Sequence, residues 1–127
     1  MSAKTILHIE DNEFNRKIVR DLLARTSYRL LEATDGEEGV ATARREVPDL
    51  ILADIQLPKL TGLEATRRLR ADPATAHIPI IVITSFALSG DEDKAKDAGA
   101  SHYLAKPYSP RALLETIRRF LPEATTG

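Results

Sequence analysis

An open α/β sheet of five parallel strands, doubly wound in the order 2-1-3-4-5, is the fold this sequence predicts. Three observations carry the prediction. Short apolar, β-branched runs alternate five times with helical patterns along the 127 residues, and such alternation builds a parallel sheet covered by helices on both faces. Leu50-Ile51-Leu52-Ala53 and Ile80-Ile81-Val82-Ile83 are apolar without interruption, as strands buried on both faces are. No repeat, low-complexity segment or linker divides the chain, so residues 1–127 are expected to form one domain, with a core over about 4–121 and a short polar tail.

The elements follow in order. Thr5-Ile6-Leu7-His8-Ile9 reads as strand one, ended by Glu10-Asp11, with Asn12 placed to cap the next helix. In that helix Ile18 and Leu22, and Val19 and Leu23, pair at i,i+4 to make one apolar face. Phe14, in its first turn, either joins the core or is left outside as a partner contact. Strand two spans 28–33. Asp35-Gly36-Glu37-Glu38 has the form of a capping box opening helix two, and Pro48 closes that region. Strand three is 50–54. Thr61-Gly62-Leu63-Glu64 is a second capping box, for a helix running to about Ala71. Strand four, 80–84, is the most β-prone stretch. Ser89-Gly90-Asp91-Glu92 is a third box, and Gly99 stands where a helix end needs a left-handed residue. Strand five is 101–105. Ser109-Pro110 is a cap with proline at the first helical position, and Leu113, Leu114, Ile117, Phe120 and Leu121 form the buried face of the last helix.

Composition excludes several classes. Eighteen basic and 19 acidic residues leave a net charge of −1, which exerts no general pull towards nucleic acid or anionic membrane. The arginines at 44–45 and 67–70 read as solvated helix faces. There is no cysteine, hence no disulfide framework, thiol nucleophile or thiolate metal site. No apolar stretch is long enough for a bilayer, and strand one begins too early for a signal peptide, so a cytoplasmic protein is expected. His8, His77 and His102 share no metal-ligand spacing and read as structural or surface residues.

The chemistry gathers at the strand ends. Sites in such sheets form outside the carboxyl ends of the strands at the switch point, here between strands one and three. Glu10 and Asp11 lie on one side and Asp54 on the other, while strand four ends in Thr84 and strand five leads into Lys106. Two like charges ~4 Å apart cost about 4 kcal/mol at an effective dielectric of about 20. Lys106 offsets part of that, and a hard divalent cation offsets more, with carboxylate oxygens suited to Mg²⁺. A carboxylate nucleophile, a metal and a fixed cation are the parts that phosphoryl transfer needs.

At these spacings Ile9-Glu10-Asp11-Asn12, Asp54-Ile55-Gln56-Leu57-Pro58 with Gly62, Thr84-Ser85 and Lys106-Pro107 make the chain resemble the receiver domain of two-component response regulators over nearly its whole length. Residues 10–15 and 54–58 look most like cell-cycle-type, DivK-like regulators and hybrid-kinase receivers. The resemblance implies the flavodoxin-like receiver fold and a set of roles. Asp54 is the phosphoacceptor. Asp11 and Asp54 ligate Mg²⁺ (or Mn²⁺) through side chains, Gln56 through its backbone carbonyl, and Glu10 through a water. Lys106 pairs with the phosphoryl oxygens, Thr84 donates its hydroxyl to them, and Tyr103 is the aromatic that moves inward on activation. Gln56 and Phe86 tune dephosphorylation, and Lys106-Pro107 is a cis peptide. Glu10 departs from the aspartate common in many receivers, its longer arm still reaching through water.

The function so implied is a signalling phosphoacceptor rather than an enzyme, one that assists its own phosphorylation and autodephosphorylation. A histidine kinase or histidine phosphotransfer protein supplies the phosphoryl group. A downstream protein meets the surface of strand four, helix four, strand five and helix five (residues 89–120), with the regulator a monomer or weak dimer. Two rivals differ in class. A small Mg²⁺-dependent phosphohydrolase would turn over a phosphorylated small molecule, and a phosphorylation-independent interaction module would bind its partner whatever the state of Asp54. A flavin-binding reading fails because the loop after strand one is acidic where a phosphate cradle is rich in Gly, Ser and Thr.

Overall fold

The computed structural model describes residues 3–84, 91–106 and 108–123. Five strands, β1 (Thr5–Ile9), β2 (Arg29–Ala33), β3 (Leu50–Asp54), β4 (Ile80–Thr84) and β5 (His102–Ala105), alternate with five helices. These are α1 (Glu13–Leu23), α2 (Gly36–Glu46), α3 (Gly62–Ala71), α4 (Asp91–Ala98) and α5 (Pro110–Phe120). The strands form one sheet in the order β2-β1-β3-β4-β5, and every neighbouring pair is parallel. Fold class and strand order are those the sequence predicts.

Side chains alternate between the two faces of a strand, and the core divides accordingly. Leu7, Ile9, Ile51, Ala53, Ile80 and Val82 join residues of α2, α3 and α4 on one face. Ile6, Leu50, Leu52, Ile81 and Ile83 join Val19, Leu23, Leu113 and Ile117 of α1 and α5 on the other. β3 and β4 are buried at every position, which is why their sequences are apolar without alternation. Within α1, Val19 and Leu23 are buried while Ile18 and Leu22 are only half-buried, and Phe14 stands 69% exposed.

Caps fix the helix starts. Asn12 Oδ1 accepts from the Asn15 N–H at 2.9 Å, and Ser109 Oγ accepts from the Ala112 N–H at 3.0 Å. Asp35 caps α2 through the Glu38 N–H (2.8 Å), but the Glu38 carboxylate reaches the Thr34 N–H, one residue further back than a reciprocal box requires. Thr61 caps α3 through the Glu64 N–H (3.2 Å), whereas the Glu64 carboxylate turns to Arg67 (2.8 Å). That second box is therefore half-made, since a nearby guanidinium outcompetes a backbone N–H for an exposed carboxylate. The third, at Ser89-Gly90, lies outside the described residues. Gly99 has φ +102°, the left-handed conformation expected at the end of α4. The C-terminus of α5 is secured where the Tyr28 hydroxyl donates to the Leu121 carbonyl.

Arg70 differs from its sequence reading. It does not sit on a solvated face but folds inward, donating to the carbonyls of Gly99 (2.8 Å), Ala76 (3.0 Å) and Ile78 (2.6 Å) and to Ser101 Oγ (3.2 Å). Burial lowers its pKa from the ordinary arginine value. Its neighbours follow expectation, with Arg67 and Arg68 exposed and Arg44 pairing with Asp72 at 2.9 Å.

Val47, the residue that ends α2, has φ 44° and ψ 67° and is 43% exposed. A left-handed conformation costs an L-residue roughly 1–2 kcal/mol, and Val47 is only partly buried in return. Val47→Gly removes that strain against an unfolded-state entropy penalty of about 0.5–1 kcal/mol. Thermal unfolding should show Tm raised by about 2–4 °C. An unchanged or lower Tm would contradict this account of the α2 terminus.

Candidate phosphoacceptor site

The register of the sheet assembles the site. Ile9 pairs with Ala53, and Ala53 with Val82, so Glu10, one residue past β1, lies beside Asp54 at the end of β3. Thr84 pairs with Ala105, which brings Lys106 to the same edge. Its N–H donates to the Thr84 carbonyl at 2.6 Å. Lys106 Nζ then reaches back between the two acids, 2.8 Å from Asp54 Oδ2 and 2.9 Å from Glu10 Oε1. Both acids are buried, Glu10 at 2% and Asp54 at 4% exposure. Three of the residues read from the sequence as one site are thus in direct contact.

Each of the two acids is also held by a backbone neighbour. Asp54 Oδ1 accepts from the Gln56 N–H at 3.0 Å, and Glu10 Oε2 accepts from the Asn12 N–H at 3.2 Å. The loop after β3 turns back on itself, with the Gly62 N–H donating to the Ile55 carbonyl at 2.9 Å. There α3 packs so closely that a Cβ on Gly62 would lie 2.1 Å from the Asp54 carbonyl oxygen. Only glycine allows that approach. The same loop places Lys59 at φ 67°, with its ammonium 3.7 Å from Asp35 at the start of α2.

The electrostatics follow from two acids sharing one base in a dry place. The Glu10 carboxyl is raised to about 7, by burial first and by the hydrogen bond and charge of Asp54, against the opposing pull of Lys106. Burial alone would lower the Lys106 ammonium, but its bonds to Asp54 and Glu10 outweigh that and raise it. The result is a trio short of positive charge, the environment expected of a functional site.

The remaining predicted residues fall around this trio. Asp11 and Gln56 are exposed at its mouth. Thr84 is fully buried at the end of β4. Tyr103 is half-buried and packs on the α2–α4 side of the sheet. Thr84 and Tyr103 have the parity of that side, whereas Glu10, Asp54 and Lys106 have the parity of the α1/α5 side. Phe86 and Pro107, and with Pro107 the expected cis peptide, lie outside the described residues.

Three residues beside the site escaped the sequence reading as site neighbours. Arg16, its side chain only 13% exposed, donates to the Glu10 carbonyl at 2.8 Å. The i,i+3 spacing of Glu13 and Arg16 was a visible signal for their pairing, but nothing local marks the reach back to Glu10. His8, 2% exposed, is held neutral, its pKa lowered to about 4 by burial and by the Lys106 charge, against the opposing pull of Asp54. Tyr108 is half-buried. Burial raises its phenol, the Lys106 charge lowers it, and Glu10 and Asp54 raise it again. Among the described residues no helix is long and apolar enough to cross a membrane.

Known proteins resemble this chain in sequence and fold. The family model for the response regulator receiver domain matches residues 6–118. The polar-differentiation response regulator DivK of Brucella ovis is 42% identical over 122 residues, covering 96% of this chain and 99% of the relative. Its counterpart in Brucella anthropi is 42% identical over 121 residues, covering 95% and 98%. Among solved structures, the receiver domain of a sensor histidine kinase from Pseudomonas aeruginosa superposes with a TM-score of 0.85 at 38% identity, covering 92% of this chain and 96% of that one. That structure holds a magnesium ion in its active-site cleft. A chemotaxis protein of Vibrio cholerae superposes with a TM-score of 0.86 at 30% identity, covering 93% and 98%. A doubly wound sheet whose acidic edge is bridged by one lysine, matched by the family model over most of its length, belongs to the response regulator receiver domains, the phosphoacceptor components of two-component signalling.

Proposed function

We propose that Asp54 is the residue that takes the phosphoryl group from a histidine kinase or a histidine phosphotransfer protein. The observation that carries this reading is the Lys106 ammonium, 2.8 Å from Asp54 Oδ2, at the carboxyl edge of a receiver sheet. An Asp54 oxygen forms the new O–P bond as the N–P bond to the donor histidine breaks, and the freed imidazole leaves with the electron pair. Lys106 is positioned to move from bridging two carboxylates to neutralising a phosphoryl oxygen, the kind of charge stabilisation that dominates such transfers. The Gln56 N–H fixes the other carboxylate oxygen, so the nucleophile arrives oriented.

The donor set fits a hard cation. Two buried carboxylates share one ammonium and Glu10 is pushed up to about 7, which leaves negative charge for a cation to balance. Among the described residues no three acids or imidazoles converge as a cage, and Mg²⁺ keeps several of its waters and takes few protein ligands. The Asp11 and Asp54 carboxylates and the Gln56 carbonyl are the ligands proposed, with Glu10 acting through water. Mn²⁺ has the same preference for oxygen donors. When bound, the ion supplies charge neutralisation for the phosphoryl oxygens.

Once phosphorylated, Asp54 presents oxygens for the Thr84 hydroxyl and Lys106, and the Tyr103 ring turns inward. A cleft of about 170 Å³ beside Tyr103, lined also by Glu92, Ala95, Lys96 and Ser101, gives the β4-α4-β5-α5 surface room to rearrange. That surface meets the downstream protein, with the regulator a monomer or weak dimer, and a two-state shift of this kind is how a local charge becomes a binding signal. Gln56 and Phe86 set the rate of autodephosphorylation. Phe14, 69% exposed in the first turn of α1, is the apolar contact for the protein that donates the phosphoryl group.

Two outcomes follow. Intact mass after incubation with a small phosphodonor should show one added phosphoryl group that requires Mg²⁺ and is absent in Asp54→Asn. A variant that labels like the wild type would remove Asp54 from the role, and no labelling under any condition would favour the phosphorylation-independent module. Phe14→Ala should leave small-donor labelling and Tm unchanged while slowing transfer from a phosphorylated histidine protein roughly tenfold, the loss typical of an aromatic anchor. Unchanged protein-to-protein transfer would contradict the Phe14 contact.

A further inference from the structure

We infer that Arg16 is a positioning residue for the cation site, holding the Glu10–Asp11 peptide from inside α1 so that the Asp11 carboxylate points where a metal needs it. The inference rests on the proposed reading of Asp11 as a ligand.

Asp11 is exposed, and among the described residues no hydrogen bond or ion pair holds its carboxylate. The backbone therefore sets only where its Cα–Cβ bond leaves the chain, and the peptide that precedes it carries the Glu10 carbonyl. Arg16 Nη1 donates to that carbonyl at 2.8 Å. The other arm of the guanidinium pairs with Glu13 Oε2 at 2.6 Å, which anchors the fork to the start of α1. The Arg16 N–H donates to the Asn12 carbonyl at 3.0 Å, so backbone and side chain grip the same turn from one residue.

Every other polar atom of Glu10 is already engaged. Its N–H donates to the Ala33 carbonyl at 2.9 Å, and its two carboxylate oxygens accept from Lys106 and Asn12. The carbonyl is the last of the Glu10 polar atoms, and Arg16 holds it. A planar fork with two donors at fixed spacing can hold a carbonyl and a carboxylate together, which an ammonium cannot do with the same geometry. Residues that orient a metal ligand without touching the metal typically carry 10–100-fold of its affinity.

Position and charge predict opposite signs. Arg16 is a cation beside an acidic site, close enough that its charge lowers the His8 pKa. If only its charge mattered, deleting it would tighten Mg²⁺ binding. If it positions Asp11, deleting it loosens binding. The test is calorimetric Mg²⁺ titration of wild type, Arg16→Met and Arg16→Lys, each well below its own Tm. Arg16→Met keeps the apolar stem and should bind Mg²⁺ roughly 10–100-fold more weakly. Arg16→Lys keeps the charge but not the fork and should also bind more weakly, guarding against a Met variant that folds poorly. Equal or tighter binding by both variants, with wild type binding normally, would overturn the role of Arg16 and leave the cation site standing. No Mg²⁺ binding by wild type would bring down the cation site itself, and the role of Arg16 with it.

Discussion

One ammonium between two buried carboxylates is the contact on which the rest of the site depends. Burying a carboxylate is costly unless it is paired and hydrogen-bonded, and here two are buried side by side with Lys106 bridging them at 2.8 and 2.9 Å. A buried pair contributes little net stability, because desolvation offsets the attraction, but removing one partner is expensive. The trio is therefore better understood as a poised arrangement than as a brace. Its surplus negative charge makes the site receptive to a cation, and its lysine is already adjacent to the oxygens where phosphoryl charge would arrive.

The fold supplies the precision. Parallel register sets Glu10 beside Asp54 and brings Lys106 to the same edge through the Thr84–Ala105 pairing. Parity then separates tasks, since the charged trio belongs to the α1/α5 side while Thr84 and Tyr103 belong to the side of α4. Away from the site, Arg70 ties α3 to the segments before β4 and β5 through the Gly99 and Ile78 carbonyls and the Ser101 hydroxyl. It gives the distal end of α4 a fixed footing.

Much of this was legible in the sequence because it rests on local pattern. Unbroken apolar runs marked the two-sided strands, the alternation of elements gave the topology, and the position of Asp54 after Leu50-Ile51-Leu52-Ala53 placed an acid at a strand end. Asn12, Asp35, Thr61 and Ser109 were readable as caps because a cap acts within three residues. What was not legible depends on long side chains choosing distant partners. Arg70 reads as part of a basic helix face, yet its acceptors are residues 76, 78, 99 and 101. Arg16 reads as an ordinary helix arginine until it is seen against the Glu10 carbonyl. Val47 gives no hint of a positive φ, because a β-branched residue is the last that propensity would place there. Phe14 was open between core and surface because it is apolar and stands in the first turn of α1, but it lies five residues before Val19, about 140° round the helix from the buried Val19–Leu23 face.

The most direct test of the central contact is the titration of Glu10 itself, followed by carbon-13 NMR of its side-chain carboxyl in metal-free protein. Lys106 and Asp54 act on it directly, Arg16 holds its carbonyl, and Tyr108 lies near enough to feel its charge. With two buried acids sharing one ammonium, the carboxyl should titrate with a midpoint near 7, and Mg²⁺ should lower that midpoint. A midpoint at the ordinary glutamate value of 4.5 would contradict the account, because it would mean that Glu10 feels neither the burial nor the neighbouring charge on which the site is built.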